Sequence, residues 1–274
     1  MAILNFQKPD KIVLQKATDF EAQFEFRPLE PGYGLTIGNA LRRVLLSSLE
    51  GHAITGIKIE GAEHEFATIK GIAEDVTEII LNLKQVRFKK TIEGDVHQEK
   101  VILSLKNKSE FTAAMIGDGL QSFVVMNPEQ LICTMDITAR LDIEIHIGKG
   151  RGYVPSEENR LKDSTFGYIP IDSIFTPIKN VKYAVENTRV EQRTDYEKLV
   201  MDVVTDGTIH PEDAVKQASR ILIQHLMIIT DENITFDTKE EKKEDIVDET
   251  TLQLRKVLKP HWKTSTFLCV PSIA

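Results

Sequence analysis

An α+β fold is predicted by three observations. Segments of strict polar–apolar alternation recur along the chain, two long segments carry wide helical stripes of apolar residues, and a strand-rich middle separates those two helices. The 274 residues are 41% hydrophobic and 28% charged, an ordinary globular mixture that can bury a core without staples. Fibrous, wholly disordered and disulfide-scaffold classes are excluded by the same figures.

Residues 10–27 read as strand with a break near 17–19, because Ala22, Phe24 and Phe26 alternate with Glu21, Gln23, Glu25 and Arg27. A Pro/Gly stretch over 28–34 leads into a helix over 36–49, whose stripe is Ile37, Ala40, Leu41, Val44, Leu45 and Leu49, with Gly51 as its stop. Residues 54–60 read as strand, and residues 71–83 as a second helix with Ile72, Val76, Ile79, Ile80 and Leu83 on one face. A strand over 101–105 follows the Glu93-Gly94-Asp95 turn, and the strongest alternation runs over 136–147. Gly148-Lys149-Gly150-Arg151-Gly152 opens a loop that extends to about 168, after which strands return at 180–190 and 198–205. Asp206-Gly207 is a turn. The last helix spans 211–230: proline suits its first turn, and Glu212 and Asp213 suit the positive end of its dipole. Ile223, Met227 and Ile228 widen its stripe beyond what one core needs, which points to a subunit interface.

Candidate chemistry is sparse. Two cysteines, Cys133 and Cys269, permit no disulfide framework, and the seven histidines never fall at metal-ligand spacing. No metal or cofactor is expected. No long apolar run and no basic leader followed by an apolar stretch occurs, so a cytoplasmic chain with no membrane partner is expected. The net charge of −8 is uneven: residues 231–249 hold nine acids and three lysines, and residues from 250 onward hold four bases and no acid. Gly32-x-Gly34-x-x-x-Gly38 lies between a strand and a helix, the order of a dinucleotide site. The intervening Pro28–Pro31 stretch and the one-faced strand argue instead for turn glycines. A nucleotide-using enzyme on this loop is the alternative to an assembly protein.

Several long strings then carry a resemblance. Leu29-Glu30-Pro31-Gly32-Tyr33-Gly34-Leu35-Thr36-Ile37-Gly38-Asn39-Ala40-Leu41-Arg42-Arg43-Val44-Leu45-Leu46-Ser47-Ser48, Gly71-Ile72-Ala73-Glu74-Asp75-Val76 through Leu81-Asn82-Leu83-Lys84, Gly152-Tyr153-Val154-Pro155-Ser156, and Val190-Glu191-Gln192-Arg193-Thr194-Asp195 resemble the bacterial RNA polymerase alpha-subunit family. The match is collinear over about residues 10–258. It implies a dimerisation subdomain of residues 1–51 and 171–231, pairing a small antiparallel sheet with the two long helices. It also implies an inserted, mostly-β subdomain of residues 52–170, an acidic linker over 232–250, and over 251–274 the truncated start of a C-terminal DNA-binding module with an aberrant tail. By the same resemblance the chain is a noncatalytic scaffold with no catalytic residue of its own. It forms a homodimer that recruits the beta and beta-prime subunits, alongside omega and sigma in the complete enzyme. Arg43, Leu46 and Lys84 match positions that contact beta, and Arg193 falls near the beta-prime-facing region. Ile37, Leu41, Val44, Leu45, Leu222, Leu226 and Ile229 are implied at the dimer interface.

Two departures stand out. His210 replaces the family's usual Asp before Pro211, and histidine is the poorer helix cap. The tail from Pro260 to Ala274, which holds the chain's one Trp, does not continue the DNA-binding module. A one-base deletion in an adenine run at the Lys259 codon accounts for it, because suitable codons in the other frame read Lys-Thr-Thr-Leu-Glu-Asp-Leu-Asp-Leu-Ser-Val-Arg, which resembles the start of that module. The alternative is a divergent native tail, and the gene sequence decides between them. Promoter DNA is expected as a partner only through that module, which this tail is expected to lack.

Overall fold

The alternating segments pair into two four-stranded antiparallel sheets, each with one face turned to a core, and three short two-stranded pairs complete the β structure among the described residues. The structure is a computed structural model that describes residues 11–91, 98–160, 166–190 and 193–230. Along the chain run β1 (Lys11–Ala17), β2 (Glu21–Leu29), α1 (Tyr33–Ser47), β3 (Glu50–Ile59), α2 (Val76–Leu83), β4 (Phe88–Lys90) and β5 (Gln98–Lys106). Then come β6 (Glu110–Thr112), α3 (Ala113–Asp118), β7 (Phe123–Val125), β8 (Leu131–Thr134), β9 (Arg140–Arg151) and β10 (Tyr153–Val154). The series ends with β11 (Tyr168–Pro170), β12 (Ser173–Ile174), β13 (Ile178–Val190), β14 (Arg193–Thr205) and α4 (Pro211–Thr230). The 232–250 linker, the 251–274 segment with its tail and the Glu93-Gly94-Asp95 turn lie outside the described residues.

The first sheet has the order β1-β2-β14-β13, so the start of the chain is sealed by a hairpin about 170 residues later. Phe24 pairs with Met201 and Ala22 with Val203, so the apolar phases of β2 and β14 coincide on one face. There they meet Leu41, Leu45 and Leu49 of the α1 region and Ala214, Val215 and Ala218 of α4. The second sheet has the order β11-β3-β9-β5. Ile54, Ile57 and Ile59 of β3 and Leu141, Ile143, Ile145 and Ile147 of β9 form its core with Val76, Ile79, Ile80 and Leu83 of α2. The chain is therefore bipartite, with an inserted β-rich core between two halves of a helix-on-sheet core.

Several boundaries differ from the sequence prediction, each for a local reason. α1 begins at Tyr33, three residues early, because Gly32 takes a left-handed φ of 87° and turns the chain directly into the helix. Gly51 is not the helix stop but lies inside β3, where any side chain would collide with the Phe175 carbonyl. α2 begins only at Val76, because Asp75 caps it by accepting a 2.7 Å hydrogen bond from the Glu78 amide, while Gly71 sits at φ 83° in the preceding loop. β9 starts at Arg140 rather than Asp136, leaving Ile137 exposed, and it continues through Gly148-Lys149-Gly150-Arg151. The first four residues of the predicted loop are thus strand, paired residue for residue with Glu50 to Ala53, while residues 155–160 are turn and coil. α4 agrees with its prediction, and His210 does cap it: the imidazole Nδ1 accepts from the Glu212 amide at 3.3 Å.

His52, at the start of β3, has a titration consequence. Burial, then Lys90 and Lys149, push its pKa down to about 4. The unfolded chain takes up that proton near the ordinary histidine value, the folded chain only near 4, so the stability it supports is lost as pH falls from about 6.5 towards 4. Chemical denaturation across that window should show declining stability, and His52→Phe should flatten the decline. An unchanged slope in the variant would remove His52 as its cause.

Candidate subunit interface

Helix α1 is held at both ends by partners distant in sequence. At its start the amides of Gly32 and Gly34 each donate to the Glu197 carboxylate of β14, both at 2.8 Å. A carboxylate on exposed helix amides is the arrangement that helix N-termini offer to anions. Here the anion is the protein's own, so the site a nucleotide phosphate would need is filled. Gly34 and Gly38 are packing glycines: a side-chain carbon at Gly34 would lie 2.9 Å from Val185, and one at Gly38 2.8 Å from the Tyr183 ring. Nothing local in the sequence marks Glu197, since its partners lie over 160 residues away.

The resemblance puts Leu41 and Leu45 on the dimer face, whereas within the protomer both already pack into its own core. They are 4% and 0% exposed, packed with Gly34 and Gly38 against the sheet of their own protomer. Ile37, Val44 and Leu222 are half-buried at the margin of the same core. The apolar surface left to solvent lies elsewhere. α4 buries only its first half, and Leu226, Ile228 and Ile229 stand 58%, 78% and 77% exposed on its last turns. Tyr33 and Leu35 of α1 are also exposed, as are Ile12 and Leu14 of β1, which pair with Phe26 and Phe24 and so share the helix side of the sheet. An α-helix that runs two turns past its core with an apolar stripe exposes surface that association would bury.

The polar positions divide between the two cores. Arg42 and Arg43 are adjacent and both exposed, yet they differ. The Arg42 Nε donates to the Val181 carbonyl at 3.1 Å, which ties it to β13. The Arg43 guanidinium has no partner among the described residues and presents its planar fork to solvent. Leu46 is half-buried beside the same core. Lys84 caps the C-terminal end of α2 and pairs with Asp172, which also accepts from the Tyr153 hydroxyl at 3.3 Å. Lys84 holds this carboxyl below its ordinary range against the opposing effect of burial. A short chain of contacts links Lys84 to Arg43: Gly152, next to Tyr153, lies against the Ser47 carbonyl, and the Ser47 hydroxyl donates to the Arg43 carbonyl at 2.7 Å. Arg193 opens β14 opposite Val190, and its side chain lies outside the described residues.

The comparisons with known proteins complete this picture. Residues 57–176 match a family described as the RNA polymerase Rpb3/RpoA insert domain, so the class is an RNA polymerase subunit carrying that insert. The DNA-directed RNA polymerase subunit alpha of Cytophaga hutchinsonii is 59% identical over 259 residues, covering 94% of this chain and 78% of that protein. The same subunit of Flavobacterium psychrophilum is 56% identical, and that of Prosthecochloris aestuarii 48% identical, each over 78% of its length. The chain belongs to the family of DNA-directed RNA polymerase alpha subunits. It is therefore one subunit of a multisubunit transcription enzyme. Among the described residues, no helix is long and apolar enough to cross a membrane.

Proposed function

We propose that this chain is the noncatalytic assembly scaffold of its polymerase, a homodimer on which the beta and beta-prime subunits are gathered. The observation that carries the proposal is the exposed apolar end of α4, with Leu226, Ile228 and Ile229 more than half exposed. A helix built this way gains its missing burial from a second copy, and a twofold pairing makes every such side chain count twice. α1 lies on the same sheet and supplies Tyr33 and Leu35 to that face. Recruitment of beta falls to Arg43, whose fork is unengaged, with Leu46 beside it and Lys84 presented by Asp172. Arg193 stays an assignment by resemblance on the beta-prime side. Omega and sigma join the complete enzyme without a site assigned on this chain, and promoter DNA is contacted only through the C-terminal module.

The test separates dimerisation from capture. Arg43→Ala should leave the dimer intact by sedimentation, since the residue contacts no core. Its capture of purified beta subunit should fall by tenfold or more, equal to about 1.4 kcal/mol, the range for a lost interfacial arginine. Wild-type capture by that variant would overturn the Arg43 assignment, and loss of the dimer would show that α1's solvent face serves a different contact.

A further inference from the structure

The remaining concave surface of note lies where the two cores meet. Two adjoining cavities, of about 310 and 280 Å³, share Lys89, Thr208, Ile209 and Gln217 as common walls. The first is bounded by the starts of β3 and β4 and by Lys149 of β9, the second by the first three turns of α4. Five cations face them: Lys89, Lys90 and Lys149 in the first, and Lys89 again with Lys216 and Arg220 in the second. Glu50 and Asp213 are the acids in the walls, so the cleft carries a formal charge of +3 in a chain whose total is −8.

The cations are not all spent on neighbours. Glu50 is held by Lys149 at 2.6 Å and by Arg151, and Lys216 pairs with Glu212 on the exposed flank of α4. Lys89 and Arg220 form no ion pair among the described residues. His210 adds a donor: its Nδ1 accepts from the Glu212 amide, so the neutral ring carries its proton on Nε2. The positive end of the α4 dipole opens on the same wall. In the first cavity, His52 is a wall residue whose buried Nε2 has no hydrogen-bond partner, a cost the fold bears with no internal return.

We propose that this cleft is a binding site for a small soluble polyphosphate, with one phosphoryl group in each cavity and Lys89 between them. Two cavities whose cation sets meet at Lys89 fit an anion whose charges are spaced along a chain, rather than a single carboxylate. Arg220 supplies the planar fork that matches a phosphoryl edge, and the lysines act as point charges. The combined space falls in the range of small-molecule sites. The site is separate from the apolar face of α4 and from Arg43, so it stands or falls independently of the scaffold reading.

The probe is inorganic tripolyphosphate titrated calorimetrically into the full chain at fixed ionic strength. One saturable site per protomer is expected, weakened at least tenfold by Lys89→Ala with Arg220→Ala. Lys100→Ala with Arg140→Ala, which removes two cations from the inserted sheet, should stay within twofold of wild type. Equal weakening by both pairs, or no saturable binding, overturns the proposal. A second measurement needs no variant: tripolyphosphate should protect Lys89 and Lys216 from amine acylation in the wild-type chain while leaving Lys100 reactive. Absence of that selectivity overturns it too, as does a single-stranded oligonucleotide that displaces tripolyphosphate and binds the same lysines more tightly.

Discussion

Leu226→Glu combined with Ile229→Glu should convert the chain to a monomer at every concentration accessible to light scattering. Both side chains lie beyond the part of α4 that packs on its own sheet, so the substitutions leave the protomer's core untouched. In a twofold dimer each protomer contributes both, and four apolar side chains lose their burial together. At about 1.5–3 kcal/mol each, the loss is roughly 6–12 kcal/mol before the added carboxylates are desolvated. That exceeds the ~4 kcal/mol that separates a micromolar dimer from a millimolar one. Two controls separate this from general damage. Ile102→Glu, at an apolar residue 70% exposed on the inserted sheet, should remain dimeric. Leu41→Ala should do the converse, lowering protomer stability by about 2–5 kcal/mol as a core deletion. A persistent dimer in the double variant would remove α4 from the interface and with it the observation on which the scaffold proposal rests.

The contrast between Leu41 and Leu226 shows where sequence reasoning reached and where it stopped. The apolar excess of the last helix was legible, because its stripe is wider than one core can use. Its membership was legible in part: Ile228 is 78% exposed, whereas Met227 is half-buried. Periodicity assigns a face to a helix but does not say how far along its axis the core extends, and the core on α4 reaches Leu222 but not Leu226. On α1 the inner stripe of Gly34, Gly38, Leu41 and Leu45 is half glycine, so an apolar count does not show that its leucines seat the helix on its own sheet. The strand β9 was half legible. Ile143, Ile145 and Ile147 alternate, but the pairing continues through glycines that a pattern of hydrophobicity reads as loop, and the partner strands from Glu50 to Ala53 and at Gln98 keep them extended. The two arginines are the sharpest case. Arg42 and Arg43 are equivalent in sequence, and a carbonyl on β13, 139 residues away, makes one structural and leaves the other free.

Glu197→Ala should destabilise the chain by about 2–4 kcal/mol, because it strips the partner from two helix-terminal amides at once. Each bond to a charged acceptor contributes about 1.5–3 kcal/mol, and water can recover part of this at a site that is not sealed. The Gly32 end is exposed and the Gly34 end half-buried, which sets the estimate near the lower part of the summed range. Glu197→Gln tests charge against geometry: the amide oxygen can still accept one bond, so about half the loss should remain. The vacated position is then an anion site in its own right, at the N-terminus of a 15-residue helix with two free amides. Sulfate at tens of millimolar should therefore raise the melting temperature of Glu197→Ala more than that of wild type at matched ionic strength, and should do little for Glu197→Gln. Should sulfate act equally on all three, the carboxylate would be one surface contact among many rather than the anchor of α1. If the differential rescue is seen, the same variant should also lose beta capture in parallel with its stability and regain it with sulfate. Arg43 rides on α1 two to three turns beyond that anchor, and its direction depends on how firmly the first turn is held.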